Sequence, residues 1–135
     1  THADKVVNSG AVTLDRATTK AHIGLPYTST LQTMRIDAGG MQGTSQAKIK
    51  RINDVTVRLH KSVGVKVGSS ESVTDLIPFR SSANAMDNPI ALFSGDKEVE
   101  FDGGYETDGH IVVIQDQALP LTVLSIYPRI TTFDE

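Results

Sequence analysis

"QAKIKRINDVTVRLHKS", residues 46–62, carries the clearest structural pattern in the chain. From Val55 to His60 apolar and polar residues alternate without interruption. A period of two is that of a β-strand with one face against a core and the other in water. The stretch therefore predicts a strand that buries Val55, Val57 and Leu59.

The same stretch is rich in basic residues, and by the same count Lys48, Lys50 and Arg58 share the solvent face if no bulge intervenes. A nucleic-acid groove would combine phosphate contacts with stacking aromatics, and residues 46–62 contain no Phe, Tyr or Trp. We therefore favour a solvated strand face over a phosphate-binding face. No specific nucleic-acid binding is expected, and at most weak, salt-sensitive association through these three side chains.

The composition extends the β prediction to the whole chain. Val, Ile and Thr account for 37 of 135 residues, and branched side chains favour strands. Short predicted strands recur every 8–12 residues, among them segments near 6–7 and 11–14, "KAHIGLPY" (20–27), 28–36, 110–115 and 120–127. A Ser-Gly-Asp hairpin turn is predicted at 94–96. We expect one all-β domain over residues 1–135, an antiparallel β-sandwich or barrel-like fold of about ten short strands with little or no helix.

The apolar positions of these strands predict a core. Its expected members are Ile23, Leu31, Val55, Val57, Leu59, Val99, Phe101, Val113, Val123 and Ile126.

Sequence motifs for chemistry are weak. The loop "FDGGYETDGH" (101–110) lacks the ligand spacing of a calcium loop, and the four His residues are far apart in sequence. There is no Cys, and neither a nucleophile-elbow nor a phosphate-loop motif occurs. No apolar run approaches the roughly 18 residues of a membrane span. We expect no catalytic residue, no metal site, no cofactor and no membrane span.

Three stretches taken together resemble a known class of proteins. They are "AHIGLPYTSTLQTMRID" (21–37), "GTSQAKIKRINDVTVRLHKSVGVKVG" (43–68) and "MDNPIALFSGDKEVEFDGGYETDGHIVVIQDQALPLTVLSIYPRI" (86–130). The chain resembles the C-terminal β-domain of structural proteins from tailed bacteriophages, in particular the tail tube or nozzle component of short-tailed phages. The resemblance implies a virion tail protein, assembled in the host cytoplasm as a ring of identical subunits among other tail proteins. It also implies that residues 1–135 are the C-terminal part, or a processed fragment, of a longer chain.

The charge distribution suggests how such a ring would be held together. Net charge is +6 over residues 1–70 and −9 over residues 71–135. A ring needs one surface of each subunit to meet a different surface of its neighbour. We therefore predict that Lys48, Lys50 and Arg58 face an acidic group on the adjacent subunit. The predicted acidic group is Glu98, Glu100, Asp102 and Glu106. The alternatives are that both groups are solvated, or that they pair within one subunit.

Two other functions compete with assembly. A module that binds host-surface carbohydrate would need exposed aromatics for stacking on sugars, and Tyr27, Tyr105 and Tyr127 are the only phenols, with no Trp. A hydrolase of cell-wall or capsule polymer would need a shielded pair of carboxylates. Glu98 and Glu100 instead look like a charged outer edge. The carbohydrate-binding module is the stronger alternative.

Overall fold

The computed structural model describes residues 3–37, 43–85 and 88–133. Within them the chain forms seven β-strands and no helix. The strands are β1 (Ser29–Gln32), β2 (Ile49–Ser62), β3 (Lys66–Ser70), β4 (Val73–Leu76), β5 (Phe93–Glu100), β6 (Val112–Gln115) and β7 (Val123–Phe133). The all-β prediction is confirmed, although seven strands are found where about ten were expected. No helix among the described residues is long and apolar enough to cross a membrane.

The strands form two antiparallel sheets. One has four strands in the order β1-β6-β3-β4, and the other has three in the order β5-β2-β7. Side chains from both sheets pack in one core, with Val55 and Val57 of β2 in the same cluster as Val67 of β3 and Val113 of β6. The central strand β2 is the longest, and it pairs with β5 on one side and with β7 on the other.

The predicted core is confirmed in its central part. Val55, Val57, Leu59, Phe101 and Val113 are buried, and Val99, Val123 and Ile126 are partly buried against them. The prediction is wrong for Ile23, which is 77% exposed, and for Leu31, which is 49% exposed. Ile23 precedes the first strand, and Leu31 lies on an edge strand whose outer side is open.

Most of the missing strands were expected in the N-terminal segment, residues 3–28, which precedes β1. Around residues 6–14 only one bridge forms, in which Asn8 and Ala11 exchange two backbone hydrogen bonds of 3.0 Å. Between them Ser9 (φ 50°) and Gly10 (φ 78°) make a two-residue turn with positive φ at both positions, as hairpin turns require. The turn is present, but no ladder extends from it. Residues 20–27, also predicted as a strand, belong to none of the strands.

The predicted hairpin turn at Ser94–Asp96 is wrong. These residues lie inside β5, where Gly95 is opposite Leu59 and Asp96 is opposite Arg58. The ladder with β2 runs without a shift from Glu100 to Gly95 and continues at Phe93, so these residues stay extended and the chain does not reverse. The register shift between Leu59 and Ser62 places its extra residue on β2, not on β5.

Candidate subunit-contact surface

Lys50 is not on the solvent face where the alternation placed it. The pairing of β2 with β7 shifts register between Ile52 and Asp54, which leaves Asn53 as a bulged residue. A one-residue bulge moves every preceding side chain to the other face of the strand. Lys50 is therefore completely buried, with its Nζ donating to the carbonyl oxygen of Ile36 at 2.9 Å. The prediction that Lys50 faces a neighbouring subunit is wrong, since its side chain is enclosed by its own subunit.

Arg58 lies on the outer face of β2, as predicted, and has a carboxylate partner on the adjacent strand. Its Nε donates to Oδ1 of Asp96 at 2.7 Å, and its second terminal nitrogen donates to Oδ2 at 2.8 Å. The hydrogen bond from Arg58 lowers the pKa of the Asp96 carboxyl, and the same contact raises the pKa of the guanidinium. Both groups are solvent-accessible, and the pair joins β2 to β5 across the outer face of the sheet, where exposed ion pairs contribute little to stability.

The predicted acidic residues lie beside the basic stretch in the same subunit. Glu98 is opposite Thr56 and Glu100 is opposite Asp54 on the outer face of the three-stranded sheet. Glu106 forms a backbone bridge with Lys50, with hydrogen bonds of 2.8 and 2.9 Å. The predicted alternative, pairing within one subunit, thus describes part of the arrangement.

The side chains of the four predicted acidic residues lie at the surface of the subunit. Asp102 and Glu106 have exposed side chains, as do Glu98 and Glu100. Within the parts of the chain that the structure describes, none of these four carboxylates is in an ion pair. Lys48 is half-buried and donates its backbone N–H to Ser45 at 3.2 Å. Contact of Lys48 and Arg58 with these acids of an adjacent subunit stays a prediction.

The loop that suggested metal chemistry is tied to a neighbouring segment instead. Asp108 forms an ion pair with Arg35 at 3.0 Å, and Nδ1 of His110 lies 2.9 Å from the carbonyl oxygen of Thr33. No group of three His, Asp or Glu side chains suited to a metal ion is found among residues 3–37, 43–85 and 88–133. That the protein uses no metal, cofactor or catalytic residue stays a prediction.

The N-terminal segment offers apolar surface that its own domain does not cover. Val6, Ile23, Leu25 and Tyr27 are each at least 75% exposed. The segment also contains an open cleft of about 500 Å³ beside the Ser9–Gly10 turn. Its lining residues are Lys5, Val6, Asn8, Ser9, Ala11, Thr13 and Asp15, of which Lys5 and Asp15 form an ion pair. Exposed apolar residues are a feature that protein surfaces share with interaction sites when they form a contiguous patch.

The three tyrosines that a carbohydrate site would need are exposed, and the rings of two of them face arginine side chains. The guanidinium of Arg51 lies 5.6 Å from the ring centre of Tyr105, and that of Arg58 lies 5.3 Å from the ring centre of Tyr127. Each cation covers one ring face, which is where a sugar would stack. Tyr27 lies in the N-terminal segment, before β1.

The two edges of the four-stranded sheet are the feature that the sequence did not reveal. Among residues 3–37, 43–85 and 88–133, β1 pairs only with β6, and β4 pairs only with β3. All four residues of β1 and three of the four in β4 are exposed. Natural edges are normally blunted by charged side chains, prolines or a cover. "STLQ" (29–32) contains neither a charged residue nor a proline, and "VTDL" (73–76) contains one charge, Asp75, which is the signal that was available in the sequence.

No protein-family model matches this chain, and no curated protein matches it.

Proposed function

We propose that this protein is a structural module of a bacteriophage tail, a β-sandwich that contributes to a ring of identical subunits through subunit contacts. The two antiparallel sheets around one core supply a rigid unit of the kind that such rings repeat. In the proposal the module has no catalytic role, and its partners are copies of itself and other tail proteins in the virion.

The observation that carries the proposal is the exposed apolar N-terminal segment. Ile23, Leu25 and Tyr27 lead directly into β1, and each is at least 75% exposed. Leaving such side chains in water forgoes about 25 cal/mol for each Å² of apolar surface that burial would remove. A subunit that is buried by neighbours on assembly recovers this free energy, whereas a monomer does not.

The experiment that tests the proposal is the size and shape of the purified protein. Size-exclusion chromatography with light scattering should show one defined multimer, and negative-stain electron microscopy should show ring-shaped particles. A monomer at every concentration would contradict the proposal.

A second candidate, host-surface carbohydrate binding, is supported by the exposure of Tyr27, Tyr105 and Tyr127. Binding on a glycan array that is lost in Tyr27→Ala but kept in a matched Leu25→Ala variant would favour this candidate. An array without binding, together with ring particles, would favour assembly.

A further inference from the structure

We propose that β1 of one subunit pairs with β4 of the next, so that the four-stranded sheet continues from subunit to subunit. This inference rests on the proposed assembly function and names the contact that would carry it. A junction of two different edges is heterologous, and repeating it gives a closed ring if the rotation between subunits closes. The occupant of each free edge is thus a second copy of this chain.

The strand directions fit this junction. The pairs β1–β6, β6–β3 and β3–β4 are all antiparallel, so β1 and β4 run in opposite directions at the two edges. When the next subunit continues the sheet in the same orientation, its β1 lies antiparallel to β4. An even number of alternating strands therefore lets the sheet extend with antiparallel ladders only, which pair slightly better per residue than parallel ones.

The other sheet is less suited to extension. β5 and β7 both run antiparallel to β2, so the two edges of the three-stranded sheet run in the same direction and would meet as a parallel pair. β5 carries Asp96, Lys97, Glu98 and Glu100, and β7 contains Pro128. Charges and proline are the devices that keep strand edges from pairing, and by comparison β4 carries one charge, Asp75, and β1 carries none. The contrast points to the four-stranded sheet as the one that associates.

The main-chain groups available at the two edges can be assigned. Thr33 donates its N–H to the carbonyl oxygen of Ile111 at 2.9 Å, in the direction of β6. Because main-chain groups alternate along a strand, Thr30 and Gln32 point their N–H and C=O groups away from β6. Ile77 donates to Val65 at 3.0 Å, toward β3, so Thr74 and Leu76 point outward. Each edge therefore presents donors and acceptors at every second residue for the other to bind.

One register satisfies both the ladder and the side chains. Leu31 shares a sheet face with the core residue Val113, and Val73 shares a face with Asp75, which is opposite the core residue Val67. Placing Leu31 opposite Val73 joins two half-exposed aliphatic side chains on the core side of the sheet, at 49% and 44% exposure in one subunit. Aliphatic pairs directly opposite each other stabilise antiparallel ladders.

The neighbouring positions agree with that register. Thr30 falls opposite Thr74 as a hydrogen-bonded pair, and Ser29 falls opposite Asp75, whose carboxylate accepts from a hydroxyl. Pro26 falls opposite Pro78, so the ladder would end where both chains lack an N–H. The two prolines thus bound the same end of the junction.

Disulfide trapping tests this register directly, because the chain has no cysteine of its own. In a Leu31→Cys/Val73→Cys variant, the two thiols of one subunit are three strand spacings apart, about 14 Å, too far to bond. Across the proposed junction the two positions form a non-hydrogen-bonded pair with Cα atoms about 4.5 Å apart, within reach of a disulfide. Mild oxidation should therefore give a ladder of covalent multimers on a non-reducing gel.

Two controls define the result. Leu31→Cys/Thr74→Cys places the second thiol on the opposite face and should give no ladder, and Leu31→Cys alone should give nothing beyond a dimer. A ladder specific to the 31/73 variant supports the junction. Ring particles without that ladder would overturn the junction but leave the assembly function standing. Absence of both particles and ladder would overturn both proposals. A ladder with open filaments instead of rings would support the junction and contradict the closed ring.

Discussion

Lys50 on β2 donates a hydrogen bond from Nζ to the carbonyl oxygen of Ile36, 2.9 Å away, and its side chain is fully buried. This contact fastens the segment that follows β1 to the start of β2. Its aliphatic stem also fills the space beside Gly109, where an added Cβ would come within 2.9 Å of the Lys50 Cδ. Lys50 is therefore part of the packing of the domain rather than of its surface.

Truncation of Lys50 should be costly for stability. We expect Lys50→Ala to lower the free energy of unfolding by about 2–4 kcal/mol, because a buried stem is lost and the Ile36 carbonyl loses its donor. Lys50→Met keeps most of the packing and should cost less. Lys20→Ala, at an exposed lysine, is the matched control and should change little. Urea unfolding monitored by circular dichroism measures all three. Equal stability of Lys50→Ala and Lys20→Ala would contradict the buried position.

The position of Lys50 shows what the alternation pattern could not supply. From Val55 to Leu59 the period of two predicts the buried face correctly, because the strand is regular there. Before Asn53 the same count is wrong, since the bulge shifts the phase by one residue. A bulge depends on how β2 meets β7, which is a tertiary property. The strands predicted in the exposed N-terminal segment are absent for a related reason. Among the described residues, its apolar side chains have no strand to pair with.

Val57 tests the register of β2 beyond the bulge. Its side chain is 0% exposed, at the centre of the shared core. Val57→Asp places an unpaired charge there and should cost more than about 4 kcal/mol, enough to unfold the domain or nearly so. His60→Asp on the exposed face of the same strand is the control and should stay folded. A thermal melt in which Val57→Asp matches the unmodified protein would show that the strand is in another register.

Gly68 tests how closely β4 is held against β3. A Cβ at this position would lie 1.8 Å from the carbonyl oxygen of Val73, so β4 would have to move. Gly68→Ala should destabilise the domain by about 1–3 kcal/mol and weaken assembly as well, because the β4 edge is displaced. Gly104→Ala is the matched control, with no atom within 4 Å of the added Cβ. Chemical denaturation and light scattering of the two variants separate the effects. Identical behaviour would mean that the β3–β4 contact is looser than described.

The ion pairs predict the sign of the pH dependence. The pKa of Asp96 is lowered by hydrogen bonds from Arg58, that of Asp116 by Lys66, and that of Asp37 by the Ser45 backbone and Thr44. A carboxyl with a lowered folded-state pKa contributes stability that is fully present above its unfolded value, about 3.9, and is lost as pH falls through the folded value. Melting temperature should therefore be flat from neutral pH down to about pH 5 and then decline.

Two variants test how much of the fall in melting temperature at low pH comes from the Arg58–Asp96 contact. Asp96→Asn removes the titrating partner of Arg58 and should reduce the difference in melting temperature between pH 6 and pH 3. Glu98→Gln, on the same face of β5 but without an ion pair among the described residues, should reduce it less. If both variants change the difference in melting temperature between pH 6 and pH 3 equally, the Arg58–Asp96 contact does not contribute to stability in solution.

The candidate contact surface was predictable only in outline. The charge split indicated that the two halves of the chain differ, and Arg58 does lie on an outer face, but its partner is Asp96 of the same subunit. The sequence did not predict Asp96 as this partner, because the Ser-Gly-Asp motif predicted a turn at 94–96. The open edges depend on strand order, in which β1 pairs with β6 and β4 with β3. Strand order is set by long-range pairing, which local patterns do not encode.

Sedimentation velocity of the unmodified protein and of Thr30→Pro tests assembly through the sheet edge most directly. Thr30 points its N–H away from β6, so proline there removes an inter-subunit donor without removing one from the ladder within the subunit. We expect one defined multimer for the unmodified protein and a folded monomer, with an unchanged circular dichroism spectrum, for Thr30→Pro. A Thr30→Pro protein that sediments as the same multimer as the unmodified protein would contradict assembly through the sheet edge.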